Sequence, residues 1–383
     1  MASPVDTTVK WARSDMPGAP LLTRAAGSMA ALLDALLVDG WGTQAATTVV
    51  VASGLATATF ATDHAAALHS VVGVTGATGA WADLNGEQKI TSATSNTLQW
   101  ATALPDGTAT GSITVKMAGG GWTRPFTGTN LRAYKSASPQ GHGQYLRVND
   151  AGTDNTRVIG YETMTAISTG TGLFPTSAQV NGGYYWWKSS YGDNTPVNWV
   201  FATDGRMFWL AVEAAGAGYP CAKIYGFGDL IPEAPAGDPY ATLLVGDQYA
   251  SDNLSAFYYM GRGAPVYNQC ATPRRYGGAG TCVRGCLATR AAHSSWPAGP
   301  NPITGGMSFA QIEYRDTGGE AFIRAVAPGV RMGLATGVES FLPPRSILSA
   351  GARDYAVVLS GITNIYETTD LVPQVFDITG PWR

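Results

Sequence analysis

The chain has 383 residues, with 24 Lys and Arg against 27 Asp and Glu, a net charge of -3 and only 13% charged residues. That length predicts two or three domains, and the near-neutral balance excludes the basic footprint of a nucleic-acid binder. Soluble domains usually carry about 25% charge, so this surface suits a subunit covered by neighbours, because interface cores are depleted of charge.

Gly (48 residues) and Pro (22 residues) are abundant. Together with few Lys or Glu they disfavour long surface helices and favour short strands joined by tight turns. The 11 Trp and 17 Tyr argue against disorder, since they supply core and interface area. No apolar run approaches the ~20 residues that span a bilayer. The start, Met1-Ala2-Ser3-Pro4-Val5-Asp6, has no basic segment leading into an apolar core, so no signal peptide is expected. The expected fold class is mainly β (β-rich α+β) and multi-domain, with one clear N-terminal helix.

In chain order, residues 7–12 read as extended and Pro17-Gly18-Ala19-Pro20 as a turn. A helix follows over residues 28–38. Met29, Leu32, Leu33, Leu36 and Leu37 form one apolar stripe, Ser28 stands where an N-cap is expected, and Gly40 where a left-handed C-cap is expected. From residue 46 to 118 the texture changes to short alternating strands around 47–54, 55–62, 71–74, 88–92, 97–100 and 111–116. Asn85-Gly86, Ser95-Asn96 and Asp106-Gly107 punctuate them. This stretch reads as a small β-sandwich or barrel inserted into a main β-rich domain formed by residues 1–45 plus 119–383. Gly40-Trp41-Gly42 and Gly119-Gly120-Gly121-Trp122 flank it with similar texture.

Farther on, residues 198–210 form the clearest hairpin, two aromatic-rich strands around Asp204-Gly205. Residues 240–245 and 355–359 read as buried strands. Tyr161-Glu162-Thr163-Met164 reads as a short element, with Thr169-Gly170-Thr171-Gly172 as its loop. Residues 267–301, rich in Gly, Arg and Pro, read as a long irregular excursion, of the kind that is functional or lies against a neighbour. Arg274, Arg275, Tyr276 and Trp296 within it are the candidate interaction surface. Arg284 and Arg290 stand nearby, and the cluster fits an acidic neighbour or, equally, an ordinary polar loop. No repeat of 20–50 residues is evident.

A catalytic site needs a nucleophile with a base, a carboxylate pair or a metal centre. His64 and His69 lie five apart in a strand-to-loop segment and share no helical face; His142 and His293 stand alone. Neither a Gly-x-Ser-x-Gly elbow nor a phosphate-binding Gly-x4-Gly-Lys loop occurs, and Gly226-Phe227-Gly228 reads as tight turns. Glu162, Asp204, Asp229, Glu233 and Asp238 lie near aromatics, and Trp186-Trp187 and Tyr258-Tyr259 could stack on sugars. Sequence brings no two of these carboxylates together, so the aromatics are read as core or interface anchors. Cys270-x11-Cys282-x3-Cys286, with His293 beyond, lacks zinc-knuckle spacing; with Cys221 these are read as buried or free thiols. Residues 149–155 imitate a calcium loop without its twelfth-position Glu, and are read as a solvated turn. No catalytic, metal-binding or cofactor-binding residue is assigned.

Three stretches are familiar together. The first joins Pro20-Leu21-Leu22-Thr23 to residues 26–40. The second is Gly121-Trp122-Thr123-Arg124-Pro125-Phe126-Thr127-Gly128-Thr129-Asn130, with residues 157–164 and 169–175. The third is Phe376-Asp377-Ile378-Thr379-Gly380-Pro381-Trp382-Arg383. In this order they resemble a family of virion structural proteins encoded among the tail and neck genes of tailed bacteriophages. The 46–118 module is similar to small β modules found within phage tail and baseplate proteins. The resemblance implies a non-enzymatic, multi-copy virion component assembled in the host cytoplasm as a homo-oligomer. Its implied partners are tail tube, adaptor, fibre or baseplate subunits. Two alternatives stand beside it: a decoration or fibre protein that binds a receptor or host-surface glycan, and a polysaccharide depolymerase.

Overall fold

The computed structural model describes residues 3–216, 218–250, 269–289, 309–316, 323–333, 342–361, 366, 368, 369 and 371–383. The fold is mainly β, as the Gly- and Thr-rich composition predicts, and its described strands form three sheets.

The largest has 13 strands. Its path begins Lys10–Arg13, Trp199–Thr203, Met207–Val212, Lys223–Asp229, Thr242–Val245 and Cys270–Thr272. It continues Val283–Thr289, Phe309–Asp316, Ile323–Gly333, Val372–Asp377, Arg353–Ser360 and Ile347–Ala350, with Ile231–Pro232 added alongside Ile323–Gly333. The expected hairpin is here, with Trp199 opposite Val212 and Thr203 opposite Phe208. Gly205 takes φ 79 in its turn, a conformation open to glycine. The sheet curls on itself. Ala222 N–H donates to Leu359 O at 2.7 Å, and Trp209 Nε1 reaches Pro328 O at 2.8 Å.

A six-stranded sheet packs on the large one. Trp122 meets Phe208 edge-on at 5.4 Å, and Trp186 stacks on Tyr225 at 5.3 Å. Its longest strand, Asn155–Ala166, absorbs the four residues expected to be a short element. Thr169–Gly172, expected to be a loop, belongs to its hairpin partner Thr169–Phe174. Likewise Cys270–Thr272 and Val283–Thr289 thread the expected irregular excursion as strands. Gly226 and Gly228 also lie inside a strand, not in turns: a Cβ at Gly226 would run into the Trp209 ring, so the glycine makes room for the indole.

The third sheet, of eight strands, is built wholly from residues 41–117. Trp41–Ala45, assigned by sequence to the flank, pairs with Thr114–Met117 inside this module. Gly86–Ala93 pairs with Val71–Thr75 over its first half and with Thr97–Ala101 over its second, so the sheet bends across a bulge. Val49, Ala58, Val72, Leu98, Trp100 and Val115 fill the interior.

The helix is Ser28–Leu33, widening into a π turn over Asp34–Asp39, and its stripe is buried as expected. Its cap differs from expectation. Gly27, at φ 85, precedes the helix, and the Ser28 hydroxyl donates backwards to Thr23 O at 2.6 Å. The first-turn amides of Met29 and Ala30 instead donate to Asp150 Oδ2 at 2.8 and 3.1 Å. Gly40 has positive φ (69) but ψ 178, outside the left-handed helical region, and a side chain there would strike Met117 O. Among the described residues no helix is long and apolar enough to cross a membrane.

Candidate functional site

The loop from Pro273 to Cys282, between the strands Cys270–Thr272 and Val283–Thr289, carries three of the four predicted surface residues. Gly277, Gly278 and Gly280 all have positive φ and turn the chain tightly; at Gly278 a Cβ would collide with Tyr240. Arg324, fully buried beneath, fastens the loop. Its Nη1 donates to Arg274 O (2.7 Å) and Thr272 Oγ1 (3.0 Å), while its Nε donates to Asp238 Oδ2 (2.7 Å).

Arg274 is not free to meet a partner. Its Nε and Nη2 donate to Glu162 Oε1 and Oε2 at 2.7 and 2.8 Å, the two-pronged geometry that suits guanidinium and carboxylate. The guanidinium also lies 5.2 Å from the Tyr240 ring centre. Gly172, at φ 66, leaves the space that the Glu162 side chain fills. Glu162, Gly172 and Arg274 wall a cleft of about 330 Å³, shared with Leu173, Thr176 and Thr281. Arg275 and Tyr276 stand exposed beside it, Tyr276 at 46%. Trp296, the fourth predicted residue, lies outside the described residues, as do Tyr258, Tyr259, Arg290 and His293. The loop thus offers one cation and one aromatic ring on a neutral, hydroxyl-lined floor. Arg and Tyr are enriched at protein interfaces.

Three of the other candidate carboxylates, Asp204, Asp229 and Asp238, are occupied by cations. Asp204 accepts from Arg383 Nε (2.6 Å), Asp229 from Arg206 Nε (3.2 Å), and Asp238 from Arg324. His142 Nδ1 lies 3.1 Å from Thr242 Oγ1 and 3.3 Å from Asp229 Oδ1; burial lowers its pKa, with Asp229 opposing. His64 packs edge-on against Phe60 at 5.4 Å, and His69 Nε2 meets Asp354 Oδ2 at 2.6 Å. The described residues contain no group of three or more His, Cys, Asp or Glu poised for a metal ion. All four cysteines are buried thiols outside any disulfide. Burial pushes the Cys282 thiol up to about 12 and raises Cys270 and Cys286, so they stay protonated and pack as small apolar groups.

The imitation calcium loop is solvent-exposed over residues 151–154, as expected of a solvated turn, but not at its first carboxylate after Asn149. Asp150 is fully buried, paired with the equally buried Lys188 Nζ at 2.7 Å, and accepts from Thr156 Oγ1 at 2.6 Å while capping the helix. Sequence reasoning missed this group and its counterparts Lys223–Asp247 and Arg324–Asp238, each at 2.7 Å. The available signal was a lone charge inside an apolar run, as in Lys223-Ile224-Tyr225 and Ile323-Arg324-Ala325-Val326. Compared with models of known protein families and with curated proteins, the sequence matches none.

Proposed function

We propose that this chain is a structural subunit of a tailed-bacteriophage particle, in the tail or neck region, assembling in several copies through β-rich interfaces. The observation that carries the reading is where the charge goes. Of the 24 Lys and Arg, 14 form ion pairs with Asp or Glu among the described residues. A chain with only 13% charge therefore ties much of it up in pairs, three of them buried on both sides, and has little unpaired charge to show. Such a surface suits cover by neighbours better than a solitary life in water.

The stretches that carry the family resemblance support the same reading, because they act as joints. Arg124 pairs with Asp34 (2.9 Å) and Asp39 (2.8 Å), Trp122 Nε1 reaches Thr203 Oγ1 at 3.3 Å, and Arg383 pairs with Asp204. Residues 20–40, 121–130 and 376–383 thus fasten to one another or to the hairpin turn, which is scaffold work. Arg275 and Tyr276 are the residues we assign to a neighbouring subunit.

Mass spectrometry of washed virions from the encoding phage tests this. The chain is expected in fixed stoichiometry with the tail proteins, and its loss on washing would overturn the proposal.

A further inference from the structure

The strand Ile323–Gly333 is broken where it passes Phe309–Asp316. It takes five residue steps from Val326 to Arg331 while its neighbour takes two, from Glu313 to Gln311. The surplus contains Pro328, which has no amide to give a ladder, and Gly329 at φ 71. Bulges of this kind re-aim side chains, and they are common beside binding sites. Here the bulge opens a cleft of about 240 Å³.

One side of the cleft is apolar. The Trp382 ring packs so closely on Gly329 that no Cβ would fit, and its Nε1 donates to Asp377 O at 3.0 Å; Ile231 and Pro328 extend the wall. The other side is cationic. Arg353 is bound to the Asp377 carboxylate and donates to Pro381 O at 3.2 and 3.3 Å, while Asp377 Oδ1 also accepts from the amides of Thr379 and Gly380 at 3.0 Å each. Asp377 therefore has its partners. Among the described residues the Arg331 side chain, half-buried in the cleft, makes no hydrogen bond or ion pair, and neither does the exposed side chain of its cross-strand partner Gln311. A guanidinium at the mouth of a cleft with no protein partner, where 14 other Lys and Arg are ion-paired among the described residues, is placed to take an anionic group from solution.

We propose that this cleft binds a carboxylate-bearing sugar ring. The Arg331 fork takes the carboxylate on two parallel N–H bonds. The Gln311 amide, which both donates and accepts, meets ring hydroxyls. The wall of Trp382, Ile231 and Pro328 covers the C–H face of the ring. Ligand pockets usually measure about 300–1,000 Å³, so a space of about 240 Å³ holds one ring of a longer chain. A bare carboxylate or phosphate would engage the guanidinium and leave the apolar wall unused. This inference concerns a small-molecule site and stands or falls separately from the particle assignment.

Titration of the full chain with methyl glucuronide, followed by calorimetry, tests it. A ligand of about a dozen non-hydrogen atoms is expected to bind with a Kd of about 1 mM. Methyl glucoside and acetate are each expected to bind at least about 10-fold more weakly, one lacking the charge and the other the ring. Arg331→Gln is expected to abolish binding and Arg275→Gln, on the distant loop, to leave it intact. Should Arg331→Gln fold poorly, Arg331→Lys keeps the charge without the fork and is expected to weaken binding about 5- to 10-fold. Equal affinity for acetate and glucuronide, no saturation by glucuronide, or full binding by a folded Arg331 variant would each overturn the proposal.

Discussion

In the 41–117 module the strand Thr48–Ala52 is exposed, buried, exposed, buried, exposed, and Leu55–Thr59 keeps the same rhythm. In the large sheet, Trp199–Thr203, Met207–Val212 and Lys223–Asp229 are buried at every position. A strand with one wet face can turn its polar residues outward. A strand covered on both faces cannot, so each charge it carries must find an opposite charge inside. Lys223 with Asp247 and Arg324 with Asp238 are those partners, and Lys188 with Asp150 is a third buried pair, just past the strand that ends at Trp187. Among the described residues no ion pair joins two residues of the module, whereas the body around the large sheet also depends on buried ion pairs. Such pairs add little net stability when intact, yet breaking one by removing a single partner is costly, because the survivor is stranded without water.

That asymmetry sets the largest expected effect. Asp150→Ala strands Lys188 and also uncaps the helix at Ser28–Leu33, so it should cost about 3–5 kcal/mol in urea-induced unfolding. Adding Lys188→Met to it should restore part of the loss, since no unpaired charge then remains. A single-variant cost under about 1 kcal/mol would show that the ion pairs do not hold the body together.

In the module the equivalent lesion is a cavity. Leu98, 1% exposed, lies in its interior, and Leu98→Ala should cost about 2–4 kcal/mol. Hydrogen exchange sharpens the contrast: amides between 41 and 117 should lose protection while those of the 199–212 hairpin keep theirs. Equal loss in both would mean that the two regions unfold as one unit, and the distinction drawn here would fall.

How much of this was legible in the sequence follows the same division. Alternation announced the module strands, and Asp204-Gly205 between aromatic runs announced the hairpin, because both signals are local. The helix stripe was equally plain, but not its cap: Asp150 is 121 residues from the Met29 amide it satisfies. The Arg274 loop was found through its clustered Arg, Tyr and Gly. Its partner Glu162, 112 residues away, gave no hint of the pairing. Gly226 and Gly228 suggested turns because glycine permits them, yet here they make room for packing against a neighbouring strand. The cleft at Arg331 was invisible, since only strand pairing reveals that Val326 and Arg331 bracket a bulge.

The smallest expected effect lies at the joint between the two regions. Lys89, in the module strand Gly86–Ala93, donates from Nζ to Val9 O (3.1 Å) and Ile378 O (3.0 Å), tying the module to both ends of the chain. Burial, opposed by Asp6 and Asp377, lowers its pKa from 10.5 to about 8. Below about pH 8 both folded and unfolded chains hold this proton, and Lys89 adds no pH dependence. Between about 8 and 10.5 the folded chain has released it while the unfolded chain still binds it, so stability rises with pH across that window. A neutral amine keeps two N–H bonds, enough for both carbonyls. The gain should be on the order of 2 kcal/mol, read as the difference between the native chain and Lys89→Met in unfolding measured from pH 7 to 10.5. Lys89→Met should lack the rise. Parallel profiles for the two proteins would mean that water reaches the joint, and that the module rests against the large sheet without a dry polar pin.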